Sequence, residues 1–196
     1  MKTEPFGLPV QDSRVLVPEW FQRDTTEVAK ELVGCLLCRQ LETGEIVRAR
    51  ITETEAYLGI TDAACHTFGG RKTPRTQVMY GDGGHFYVYQ TYGMHFLLNV
   101  ITQPAGVPEG VLLRAAMAEG QPARWLAGPA LLTRGLCVDK SFYGKRVSPG
   151  SALWIEQDGC TPPVIARPRI GIDYAGEARE WPLRFCWEKH PSLSRP

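Results

Sequence analysis

The longest unbroken alternation in the chain is Ile-Val-Arg-Ala-Arg-Ile-Thr-Glu-Thr-Glu-Ala-Tyr, residues 46–57. In an extended strand, side chains point alternately to two faces. Ile46, Arg48, Arg50, Thr52 and Thr54 form a wetter face. Val47, Ala49 and Ile51 begin an apolar face that runs on into Glu53, Glu55 and Tyr57. Burying an unpaired carboxylate is expensive. Such a strand therefore either leaves the core after Ile51 or delivers an acid into a cleft. Upstream, Val28, Ala29, Leu32 and Val33 recur at helical spacing behind Asp24, a capping residue with Glu27 three positions on, and Gly34 stops the helix. Cys35 to Leu41 reads as a strand, 42–45 as a turn, and 46–57 as its hairpin partner.

Beyond Tyr57 the pattern changes. Residues 59–76 show no period and hold Gly69, Gly70 and Pro74, as a long ordered loop would, and such loops are usually functional. After the Gly81–Gly84 turn, His85 to Gln90 is rich in aromatic and β-branched residues and predicts a strand. Tyr92-Gly93-Met94 interrupts it, and His95 to Thr102 resumes as an apolar strand with one polar residue, Asn99. Val111 to Ala115 reads as a short buried strand carrying Arg114. Residues 122–137 read as helical with a break at Gly128-Pro129. Ala152–Glu156, Ile165–Ile172 and Leu183–Trp187 complete the strands. Hairpins dominate and repeated strand-helix-strand units do not occur. This predicts a single mixed α/β (α+β) domain over 1–196, its sheet mostly antiparallel and flanked by helices, with 1–20 an extended lead.

Composition adds little to the fold but bears on function. A chain of 196 residues with 43% hydrophobic residues can bury a core without staples. No apolar stretch approaches the ~20 residues of a membrane span, and the N-terminus lacks a signal-type apolar region. The expectation is a cytoplasmic protein, or a nuclear one in a eukaryote. Six cysteines include the close pair Cys35 and Cys38, but no second Cys/His pair follows, so core packing is favoured over zinc or redox chemistry. The net charge of +1 hides an asymmetry: residues 1–60 carry 7 Lys/Arg against 10 Asp/Glu, the remainder 15 against 11. Arg71, Lys72 and Arg75, then Lys140, Lys145 and Arg146, then Arg167 and Arg169 form acid-free basic clusters suited to a polyanion.

An acid at Glu55, tyrosines at 57, 87, 89 and 92, and polar interruptions at Asn99 and Arg114 make a set suited to a flat heterocycle. Basic loops around it suit a phosphate backbone. The motifs TETEAYLG…DAACHTFGGRKTPR, YVYQTYGMHFLLNV, VLLRA, AGPALLTRGLCVDKSF and RIGI…AGE…PLRF, spread over roughly 25–187, resemble the alkyladenine (3-methyladenine) DNA glycosylase family.

The resemblance implies hydrolysis of the N-glycosidic bond of damaged purines, among them alkylated bases, hypoxanthine and ethenoadenine, in double-stranded DNA. It implies a fold like the C-terminal domain of methionyl-tRNA formyltransferase. Glu55 falls at the general base that activates water, and Tyr57, His66 and Tyr89, with Ala64, at the pocket of the flipped base. Asn99 falls at the residue that disfavours guanine, and Tyr92 at the side chain inserted into the vacated stack. Met94 and Arg114 fall at DNA-contacting positions, and Arg71, Lys72, Arg75 and Lys140 are assigned to the backbone. Spacing alone cannot choose between Glu53 and Glu55; the resemblance favours Glu55. No lysine occupies the matched catalytic positions, so monofunctional hydrolysis is expected, by a monomer with no metal or cofactor and no membrane partner. The rival expectation is a non-catalytic nucleic-acid-binding module of the same fold.

Overall fold

The computed structural model describes residues 14–195. Ten strands join one antiparallel sheet: β1 Arg14–Val15, β2 Leu36–Gln40, β3 Ile46–Tyr57, β4 Phe86–Thr91, β5 His95–Ile101, β6 Gly110–Ala118, β7 Leu126–Ala127, β8 Leu153–Gln157, β9 Val164–Arg167 and β10 Arg184–Trp187. The main path runs β1-β8-β2-β3-β6-β5-β4; β10 pairs with the end of β3, β9 with β10, and β7 with β6. Helices α1 (Thr25–Glu31) and α2 (Pro129–Gly135) flank it, with several 3-10 turns. The fold is α+β, as the hairpin-rich pattern predicts. No helix among the described residues is long and apolar enough to cross a membrane.

Asp24 caps α1 as expected, accepting from the Thr26 and Glu27 amides at 2.9 and 3.0 Å. Its Val28 and Ala29, with Leu32 at its C-cap, meet Ala49, Ile51 and Leu113 in the main core. Cys35 and Cys38 are buried in two different apolar clusters. Burial pushes both thiols up, Cys35 to about 12.

Two expectations need correction. Within 122–137 only 129–135 is helical; Leu126–Ala127 pairs with β6 instead, where ladder bonds outweigh helix propensity. The strand expected over Ile165–Ile172 ends at Arg167, ahead of Pro168. Of the lead 1–20, residues 1–13 lie outside the described residues, while Arg14–Val15 forms β1 and Pro18–Phe21 a 3-10 turn.

The alternation in β3 is corrected most usefully. Ala49 pairs with Ala118 and Ile51 with Ala116, but then Glu53 pairs with Ala115 and Thr54 with Leu113. One extra residue on β3 (Thr52) is followed by one on β6 (Arg114), so the register is the same beyond Thr54 as before Ile51. A bulge turns a strand over. Before it, Ala49 and Ile51 face the α1 core; after it, Ala56 does, and Thr54 donates to the Ala29 carbonyl at 2.7 Å. The matching change on β6 puts Leu113 and Ala116 in that same core. Both faces of β3 are buried here, so Thr52 and Thr54 are not wet. The acids do not continue the apolar face. They occupy the opposite one.

Candidate active site

On that opposite face Glu53 and Glu55 are both fully buried, and Arg114 lies between them. Arg114 Nε donates to Glu53 Oε1 at 3.0 Å and Nη1 to Glu55 Oε2 at 3.2 Å. The two acids differ in their remaining partners. Glu53 accepts from Arg184 Nη1 at 3.2 Å and from both the amide and the hydroxyl of Ser194, at 2.6 and 2.8 Å. It is saturated by the sheet and by the segment that follows β10. Glu55 accepts from the Tyr57 hydroxyl at 2.9 Å and the Ile170 amide at 2.8 Å. A carboxylate offers about four acceptor sites, so three donors leave about one open.

Burial raises the Glu55 pKa above the usual carboxylate range, against the opposing pull of Arg114, the Ile170 amide and Tyr57. Burial, and then the charge on Glu55, pushes Tyr57 well up, so the phenol keeps its proton and donates.

The groups that hold Glu55 also form the wall of a cavity of about 430 Å³, which Tyr57, Arg114 and Ile170 all line. Glu55 itself stands one layer behind that wall. The cavity brings together all five residues expected of a base pocket: Tyr57, Ala64, His66, Tyr89 and Asn99. The His66 ring meets the Tyr89 ring edge-on, with centroids 4.6 Å apart and planes at 78°. Nδ1 of His66 lies 2.8 Å from the Tyr87 hydroxyl, and Nε2 lies 3.2 Å from Arg75 Nη2. An arginine can only donate, so Nε2 accepts and the proton belongs on Nδ1. Burial, then Arg75 and Arg71, lower the His66 pKa to about 4, and the ring is neutral at pH 7. Asn99 Nδ2 donates to the Tyr87 carbonyl at 3.0 Å, which leaves its side-chain oxygen for the cavity.

At the rim, Tyr92 is 89% exposed and Met94 69% exposed, both in the turn joining β4 to β5. Tyr92 (φ 50°) and Gly93 (φ 69°) both take left-handed conformations. For a bulky residue such as Tyr92 that is a real outlier. The strand register demands a tight turn, and its tip holds the phenol clear of the protein. The basic residues divide. Arg75 lies over the Tyr89 ring at 4.8 Å and belongs to the pocket as much as to the surface. Arg71 is exposed, and Lys72 Nζ rests 4.9 Å from the Tyr80 ring. Lys140, also exposed, borders a neighbouring groove of about 340 Å³ with Arg75 and Tyr143.

Three contributors escaped the sequence reading. Arg169, grouped there with exposed cations, is buried. It forks onto Asp62, with Nη2 to Oδ1 at 2.8 Å, and lies 4.7 Å from the Tyr57 ring. Asp62 in turn accepts from the Leu58 and Ala64 amides at 3.0 and 2.9 Å, which shapes the loop that presents Ala64 and His66. Ile170 contributes only its amide, a role no side chain announces. Tyr87, one of the tyrosines of the predicted set, is buried, and its hydroxyl accepts from Nδ1 of His66 once Arg75 has fixed the tautomer. Among the described residues, no group of three His, Cys, Asp or Glu could hold a metal ion.

A protein of Psychrobacter cryohalolentis, provisionally named a 3-methyladenine DNA glycosylase, is 49% identical over 204 residues, covering 93% of this chain and 96% of its own. One from Bdellovibrio bacteriovorus with the same provisional name is 44% identical, covering 92% and 99%. The mouse DNA-3-methyladenine glycosylase is 38% identical over 96% of this chain and 64% of its own length. The sequence pattern of the methylpurine-DNA glycosylase family matches residues 19–191. With its acid, its aromatic cavity and that match, the chain belongs to the methylpurine-DNA glycosylase family.

Proposed function

We propose that this protein is a base-excision DNA glycosylase that extrudes a damaged purine from duplex DNA and hydrolyses its N-glycosidic bond with water. The observation that carries this reading is Glu55: a fully buried carboxylate fixed by Arg114, Tyr57 and the Ile170 amide directly behind a tyrosine- and histidine-lined cavity. A module that only binds nucleic acid gains nothing from a buried acid there, since the charge repels phosphate. A base within a duplex is out of reach, so the nucleotide must leave the stack. Tyr92, held out on its turn, takes the vacated place as a wedge. Tyr57, Tyr89 and His66 hold the purine face and edge, aromatic stacking contributing about 1–3 kcal/mol per base. Asn99 meets the base edge and disfavours guanine's exocyclic amine.

The open acceptor site of Glu55 takes the proton of the attacking water, a contribution of roughly 10²–10⁴ in rate. Arg71, Lys72, Arg75, Lys140 and Met94 contact the DNA around the pocket. Alkylated purines, hypoxanthine and ethenoadenine are the substrates. Among the described residues no lysine lines the cavity, so no Schiff base is expected, and borohydride does not trap the protein on its substrate.

Single-turnover excision from a duplex bearing one hypoxanthine or ethenoadenine tests the reading. The wild type generates alkali-labile sites, and Glu55→Gln loses at least ~10²-fold while retaining DNA binding. Tight binding by both proteins with cleavage by neither would instead favour a damage-binding module.

A further inference from the structure

Residues beyond the family match at 191 complete the acid cluster. The segment after β10 is strapped down at successive positions. The Ser192 hydroxyl lies 3.0 Å from that of Thr52 and 2.8 Å from His190 Nδ1. Arg124 Nη1 donates to the Leu193 carbonyl at 2.8 Å, and Leu193 is buried. Ser194 is thereby held against both Glu53 and Arg114. Its amide donates to Glu53 Oε2, its hydroxyl donates to Glu53 Oε1, and the same hydroxyl accepts from Arg114 Nη2 at 3.2 Å. A hydroxyl has one donor and two acceptor sites, so this arrangement is self-consistent.

All three nitrogens of the Arg114 fork are then assigned: Nε to Glu53, Nη2 to Ser194 and Nη1 to Glu55. A guanidinium is planar and rigid. With two corners fixed, the third has no choice of direction. Without the Ser194 hydroxyl, Nη2 becomes a buried donor lacking its acceptor, and the plane is free to turn both nitrogens of one edge onto Glu53. Glu55 then keeps only the Tyr57 hydroxyl and the Ile170 amide against its burial.

We propose that Ser194 is a positioning residue: through Arg114 it aims one guanidinium nitrogen at Glu55 and so favours the charged form of the base. The inference rests on the reading of Glu55 as the base. The charged and titratable groups facing Glu55 are Arg114 from β6, Glu53 and Tyr57 on its own strand, Tyr89 from β4, Arg169 beside Ile170, and Arg184 opposite it on β10. Ser194 touches only the first two of these partners, Arg114 and Glu53.

The test uses the full chain with Ser194→Ala and Ser194→Thr, the latter restoring the hydroxyl. Two quantities are followed against pH: the side-chain carboxyl resonance of Glu55 in carbon-13-labelled protein, assigned with Glu55→Gln, and single-turnover excision. Ser194→Ala is expected to move both the resonance midpoint and the acid limb of excision up by about one pH unit, a loss of about tenfold on that limb. Ser194→Thr returns both to wild type. A lower melting temperature with both midpoints unmoved would overturn the proposal, because it would leave Ser194 a structural role alone. Should Ser194→Ala fail to fold, Ser194→Cys, with a weaker donor in nearly the same volume, gives a smaller shift of the same sign or refutes the idea. If the wild type did not excise, the reading of Glu55 would fall, while the resonance midpoints would still decide whether Ser194 governs its ionisation.

Discussion

Arg114→Met tests the electrostatic core of the site with a side chain of similar length and no charge. Arg114 is 6% exposed and bridges two fully buried carboxylates. Its loss falls unequally. Glu53 retains Arg184 and both donors of Ser194, while Glu55 retains only Tyr57 and the Ile170 amide. Glu55 therefore escapes by taking a proton.

The cost of that escape has a ceiling. Protonating at pH 7 a carboxyl whose ordinary pKa is 4.5 costs roughly 3.4 kcal/mol at 1.36 kcal/mol per unit. The wild-type pKa is already raised by burial, so the variant loses less than this through charge. Lost hydrogen bonds and imperfect packing add to it, towards the ~3–5 kcal/mol typical of breaking a buried pair.

The sign follows from linkage. In the variant, Glu55 binds its proton more tightly in the folded than in the unfolded chain. Stability is therefore lost as pH rises from the unfolded pKa towards the raised folded one. Because the wild-type Glu55 is itself raised, the stability difference stays level until pH passes the wild-type folded pKa and grows above it towards the higher one of the variant, with a limiting slope of about 1.4 kcal/mol per pH unit. Urea denaturation of both proteins at intervals from pH 4.5 to 8 measures it. A stability difference independent of pH would refute the assignment of Arg114 to the ionisation of Glu55. It would leave only packing at this position.

Two further outcomes follow from individual residues. Tyr92→Asn replaces an exposed phenol at φ 50° with a residue that tolerates the left-handed region. Thermal denaturation should show equal or higher stability, by up to ~1 kcal/mol, while single-turnover excision falls; a loss of both would show that the ring supports the fold. For His66 the folded pKa is lowered to about 4 from 6.5, so its contribution is present above pH 6.5 and is lost as pH falls towards 4. His66→Gln should flatten wild-type stability loss in that window and leave the acid limb of excision, which belongs to Glu55, in place. An acid limb that vanished with the histidine would assign the general base to His66 instead.

The sequence made the site residues legible because they break local rules. Carboxylates on a strand, an asparagine and an arginine inside apolar runs, and a tyrosine beside a turn glycine each conflict with simple burial, and such conflicts concentrate where function is. The hairpins were legible for the converse reason: Cys35–Leu41 and residues 46–57 obey alternation and turn chemistry. What stayed hidden depended on partners distant in sequence. Arg169 reads as a surface cation until Asp62, more than a hundred residues earlier, is seen to meet it. Ile170 acts through an amide common to every non-proline residue. Leu126 and Ala127 are helix-compatible, yet the edge of β6 offered them ladder bonds that no local window could show.

The bulge pair explains how a carboxylate can be placed so deep without losing the core. A single bulge would have turned β3 over and displaced every later pair by one position, so that Tyr57 no longer met Gly110. A second extra residue on β6 restores the register within two residues, confining the irregularity to Thr52, Glu53 and Arg114. The core face keeps small or apolar side chains on both sides of it, Ala49 and Ile51 before, Ala56 after. The opposite face gains two acids and the arginine that serves both. The Arg114 that supplies the compensating residue is also the cation the acids need. If that dual role is real, removing Thr52 and Arg114 together should preserve a regular ladder more nearly than removing either alone. The repaired sheet would then carry Glu53 and Glu55 with Arg184 as the only cation bonded to either among the described residues, so any recovery of stability should come without recovery of excision.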